Sequence, residues 1–172
     1  MTLRLVLRTL LVVALALLVQ NTLVLEVRVD GISPDIMYLL PIAAGLVGGP
    51  AEGAVVGFVA GLAADLLLPT PFGLTALVGT LVGFGIGAAS GNAARHARGL
   101  PSLVALVSSG IAVMLYAVLG ALIGESQFLH VDLPVIAAVV GIANCLLAGP
   151  AVWVVRWALG SPAERPVEGV PR

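Results

Sequence analysis

Between Gly53 and Asp65 every fourth residue is small or acidic: Gly53, Gly57, Gly61, Asp65. A second series, Gly79, Gly83, Gly87 and Gly91, follows after one short interruption. On a helix a step of four runs about 40° past a full turn, so each series forms one gently winding stripe. The residues around the first stripe, among them Ala54, Val55, Val56, Phe58, Val59, Leu62 and Leu66, are apolar. Glycines in an exposed aqueous helix cost about 1 kcal/mol each relative to alanine. In a membrane the same glycines open a groove that lets another backbone approach closely. Two such helices joined by the turn Pro69 to Gly73 predict a close-packed helical hairpin.

Composition puts the whole chain in that setting. Of its 172 residues 60% are hydrophobic and 10% charged, where soluble domains carry about a quarter charged. The chain reads as an all-α integral membrane protein, and no polar block is long enough for a separate soluble domain. A net charge of −1 leaves no basic face for tracking phosphates, which excludes nucleic acid as a partner. Cys145 stands alone in an apolar run, so there is no disulfide framework and no thiolate metal cluster.

The apolar runs predict six transmembrane helices, at about 5–25, 32–47, 51–68, 72–90, 103–123 and 133–157, in one domain over 1–159. Arg4 and Arg8 precede the first run, which is long for a signal peptide and lacks a small-x-small cleavage site. Gln20 and Asn21 at its outer end are interfacial or bonded to a neighbouring helix. Ser33-Pro34-Asp35 supplies an N-cap, a first-position proline and a helix-start charge for the second helix. That second run is short for a span, and Pro41 interrupts it. Asn144 lies near the centre of the sixth run, and Trp153 and Trp157 around Arg156 read as an interfacial belt. The tail 160–172, proline-rich and charged, is expected to be disordered. With six spans, Arg4, Arg8, Arg95, Arg98, Arg156, Arg165 and Arg172 share one side, and Arg28 is alone on the other. The positive-inside rule then puts both termini in the cytoplasm.

Catalytic chemistry is not indicated. His96 and His130 fall in loops on opposite sides, no metal-ligand spacing occurs, and no helix carries a histidine able to activate a serine. No glycine loop with a lysine is present to hold a phosphate, and no cofactor is called for. What remains is Asp65. A carboxylate inside a membrane helix is costly, and at a helix C-terminus it opposes the macrodipole. Because it continues the glycine stripe it faces protein, as a buried and partnered group. The groove ending in Asp65, with Asp35 and the Pro69 to Gly73 turn near the same membrane surface, reads as a docking place for another protein's spanning helix.

These residues resemble the MreD family of rod shape-determining proteins. The likeness rests on Gly31…Pro34-Asp35, then Gly49-Pro50, Gly53, Gly57-Phe58, Gly61-Leu62, Asp65 and Pro71-x-Gly73-Leu74, with Leu18…Gln20-Asn21-Thr22 at the end of the first helix. It covers roughly Leu18 to Gly87 with specific motifs and rests on hydropathy beyond. Val47-Gly48 departs from the family, whose members often carry a basic residue there. The resemblance implies a multi-pass protein of the bacterial cytoplasmic membrane with no catalytic activity, acting in control of peptidoglycan synthesis and cell shape. The implied partner is MreC, a single-span protein, with RodA, a class B penicillin-binding transpeptidase and, indirectly, MreB filaments nearby. Candidate partner-binding or structural residues are Asp35, Gly53, Gly57, Phe58, Gly61, Asp65, Pro71, Gly73, Gly79, Gly83 and Gly87. The implied fold is similar to the S components of energy-coupling-factor transporters, which supplies the alternative of a small-molecule-binding S component. Against that alternative, the first helix lacks a small-xxx-small face around Ala14 and Ala16.

Overall fold

The computed structural model describes residues 3–24, 35–67, 71–90, 99–125, 128 and 131–160. Those residues form six helices: α1 (Leu3–Val19), α2 (Leu39–Gly48), α3 (Pro50–Asp65), α4 (Leu74–Ala89), α5 (Leu100–Leu122) and α6 (Leu133–Leu159). One π-helical turn, Gln20–Val24, extends α1. Three helical stretches are long and apolar enough to cross a membrane: Leu3–Thr22, Leu100–Leu122 and Leu133–Leu159. Helices α2 and α4 are apolar but shorter, at 10 and 16 residues, or about 15 and 24 Å against a hydrocarbon core of about 30 Å.

Helix boundaries follow the backbone chemistry at each end. α2 begins at Leu39, later than the expected 32, because Asp35 and Ile36 are outside the helix and Met37 and Tyr38 form a turn. Asp35 Oδ1 accepts the Met37 N–H at 2.8 Å, a local bond that holds the chain in that turn. Pro41, expected to interrupt the helix, instead sits in its first turn, where its missing N–H breaks no intrahelical bond. α3 stops at Asp65 rather than 68, and α4 starts at Leu74 rather than 72, after Gly73 adopts φ 93°. α5 starts at Leu100, three residues before the expected 103, behind Gly99 at φ 87° with Pro101 in its first turn. α6 runs two residues past the expected 157 and carries Pro150 on its exposed side. The expected turn 26–31, most of Ser33-Pro34-Asp35, loop residues 91–98 with His96, His130, and the tail beyond Gly160 lie outside the described residues.

The core is centred on α2. Every residue from Leu39 to Leu46 is buried, and Ile42 and Ala44 are completely so. α3, α4, α5 and α6 all pack against it. α1 is the outermost element: only Leu5, Thr9, Val12 and Val13 are buried, while Leu3, Leu7, Leu11, Leu15 and Leu18 are exposed. Its contact with α6 includes the Arg8 guanidinium over the Trp157 ring, 5.1 Å from the centroid. Asn21 turns back to its own helix, donating to Leu17 O at 2.9 Å. Gln20 Oε1 instead accepts the Ile36 N–H at 3.0 Å, which ties the end of α1 to the start of the α2 turn.

Candidate functional site

The two glycine series face each other. A Cβ built at Gly57 would collide with the Gly79 carbonyl, and one at Gly53 with the Gly83 carbonyl. Gly61 meets the backbone of Thr75 and Ala76, and Gly87 meets Gly49 and Pro50. Each step of four along α3 is thus matched by a step of four back along α4, an antiparallel register held over the length of both helices. Gly45 of α2 joins the same contact: its Cβ would lie 2.5 Å from Gly83 O and 3.0 Å from Gly87 N. Three helices therefore meet backbone to backbone, a packing that any side chain at these positions would wedge apart. Gly91 lies outside the described residues.

Geometry at Gly49 makes this possible. With φ 109° it takes a conformation that disfavours side chains, and it links α2 to α3 as a single residue. Pro50 then starts α3 with φ already set for a helix. As a result α3 folds back on α2 until the Gly45 Cα lies 2.9 Å from where a Gly53 Cβ would be.

Asp65 closes the far end of the pair. It is 3% exposed, and its carboxylate accepts three backbone N–H groups of the α4 start. Oδ2 takes Gly73 at 3.0 Å and Ala76 at 3.1 Å, and Oδ1 takes Thr75 at 3.2 Å. The Leu74 N–H is bound by Pro71 O at 3.2 Å. All four N-terminal donors that a helix leaves open are satisfied, three of them by one side chain from the preceding helix. The charge that opposes the dipole of α3 therefore sits at the positive end of α4, where it is favourable. A docking role in which this carboxylate binds an incoming helix would have to compete with that cap. Likewise, the groove that the α3 glycines open is filled by α4 of the same chain.

The other candidate residues separate into two groups. Gly73 and Pro71 belong to the capped turn, while Phe58 is exposed on the outer face of α3. Asp35 lies at the start of the α2 turn, outside the set of groups bonded to Asp65, beside a polar node that was not legible as a site. There Asn144, fully buried, donates to Asp35 O at 3.0 Å and to Ser109 Oγ at 2.8 Å, joining α5, α6 and the turn before α2. The signal for it was Asn144 in the middle of an apolar run, where a buried amide needs partners. Among the described residues no group of three metal-ligating side chains occurs.

The family model for the rod shape-determining protein MreD matches residues 1–156, nearly the whole helical region. No curated protein and no solved structure matches.

Proposed function

The chain belongs to the MreD family, and from that premise we propose that it is a non-catalytic, multi-pass scaffold of the bacterial cytoplasmic membrane. Membership implies a role in rod shape determination, and the family match over residues 1–156 is the observation that carries the reading. In this reading the chain binds an MreC-like single-span protein and helps to control peptidoglycan synthesis, with RodA and a class B penicillin-binding transpeptidase close by. Six crossings with both termini inside agree with the arginine distribution, the short α2, α3 and α4 forming one close-packed block. An S-component-like arrangement of the helices is the fold that the family resemblance implies.

The packing supports a particular way of working. Gly53, Gly57, Gly61, Gly79, Gly83, Gly87 and Asp65 face one another inside the chain, so they would serve a partner by fixing the shape of the α2–α4 block. The contact itself would fall on exposed apolar faces, of which that of α1 carries the most exposed large apolar side chains. Co-purification in mild detergent tests this. A tagged copy should retain the host's MreC-like protein, and Asp65→Ala should weaken that capture through loss of the α4 start. Retention of no such protein by the unaltered chain would overturn the scaffold reading.

A further inference from the structure

A cavity of about 360 Å³ opens between the turn before α2, the first turn of α4, the second half of α5 and the first half of α6. That volume is at the low end for small-ligand sites. Its wall is largely aliphatic, broken by one acid and three aromatic side chains. Asp35 contributes a carboxylate, and Tyr38, Tyr116 and Phe128 contribute aromatic rings. Tyr116 and Phe128 stand with ring centroids 5.4 Å apart at 54°. Gly120 leaves room for the Phe128 ring, which an added Cβ there would run into.

Two polar groups in this wall are not used up by the fold. Thr75 is 4% exposed, and its Oγ1 has no hydrogen-bond partner among the described residues. Its backbone is fixed by the Asp65 cap, and its hydroxyl lies beneath the cavity wall rather than on its surface. Asp35 spends Oδ1 on the Met37 N–H, and among the described residues no arginine or histidine lines the cavity with it. A carboxylate in an apolar wall without a cation is costly, and a buried hydroxyl without a partner adds to that cost. The Asp35 carboxylate, set in this aromatic-lined cavity, points to a guest.

We infer that this cavity binds an organic ammonium group, either a protonated primary amine or a quaternary ammonium, carried by a lipid headgroup or by a free small molecule. Aromatic faces attract such cations through the ring quadrupole. The Asp35 carboxylate adds a Coulomb attraction that a low-dielectric wall strengthens. The site needs no transport activity, and the inference does not depend on the proposed scaffold role.

The full chain in phosphatidylglycerol nanodiscs provides the test, with choline chloride and ethanolamine hydrochloride as probes and the thermal unfolding midpoint as readout. At least one of the two amines should raise the midpoint. The neutral isostere of choline, 3,3-dimethylbutan-1-ol, should bind at least about ten-fold more weakly. Asp35→Asn keeps an oxygen for the Met37 N–H and removes the charge, so it should cost a similar factor. Glu52→Gln, which removes a carboxylate elsewhere, should keep the wild-type response. Native mass spectrometry after reconstitution with phosphatidylethanolamine separates the two sources. A retained lipid that choline displaces identifies a headgroup, while amine binding without retained lipid identifies a free ligand. The inference is overturned if neither amine shifts the midpoint and no lipid is retained. It is equally overturned if the isostere matches choline, or if Asp35→Asn binds as wild type does.

Discussion

Replacing Asp65 by alanine should do more damage than removal of an ordinary helix cap. A surface cap is worth about 0.5–2 kcal/mol. Here one 3%-exposed carboxylate serves three N–H groups, those of Gly73, Thr75 and Ala76. Hydrogen bonds to a charged group contribute about 1.5–3 kcal/mol each, and buried donors left open cost about 1–3 kcal/mol. The three terms do not add fully, because the first turn of α4 can fray and find other acceptors. A loss of about 3 kcal/mol follows, roughly two orders of magnitude in the folding equilibrium. Reversible unfolding in mixed micelles measures the total, and hydrogen exchange locates it. The amides of residues 73, 75 and 76 should lose protection first, ahead of the α3 amides near Gly57. Asp65→Asn keeps one accepting oxygen and should cost about half as much. Stability within about 0.5 kcal/mol of wild type for Asp65→Ala, with unchanged protection at those three amides, would refute the capping argument.

Glycine substitutions should divide by contact rather than by residue type. Gly83→Ala, which drives a methyl into the Gly53 carbonyl, should destabilise by about 1–3 kcal/mol or more, whereas Gly85→Ala meets nothing within 4 Å and should be neutral or slightly stabilising. Asn144→Ala removes the bonds to Asp35 O and Ser109 Oγ and should cost about 1–3 kcal/mol by the same unfolding assay, against less than about 0.5 kcal/mol for exposed Asn21→Ala. For topology, cysteines at Ser33 and Gln127 should label from outside intact cells, and one at His96 only after permeabilisation. Outside labelling at His96 would remove the six-crossing arrangement.

The glycine pairing was legible because two unbroken four-residue series in apolar surroundings leave few ways to bury a helix without side chains. Gly45 was not, since a single glycine in the run Leu39–Gly48 has no series to announce it. The partner of Asp65 was also hidden: its donors are backbone N–H groups, which leave no side-chain signature in a sequence. Hydropathy does not separate the flanks of the stripes: Val56 and Val82 are buried, whereas the equally apolar Val55 and Leu81 are exposed. The start of α2 depended on a local bond from Asp35 to the Met37 N–H, a choice that a Ser-Pro-Asp pattern does not decide. Asn144 was visible as an anomaly, but its partners are far away in sequence and only the folded chain joins them.

As a member of the MreD family, this chain acts in determining rod shape. The most direct test of that role is depletion of the chain in its own host, with cell width and sites of new peptidoglycan followed by microscopy. Cells should widen and round up as the protein is lost, with new wall no longer confined to the elongating cylinder. Expression of the unaltered chain should restore rods, and Asp65→Ala should restore them poorly. Cells that keep their width and their pattern of wall insertion after depletion would contradict that role.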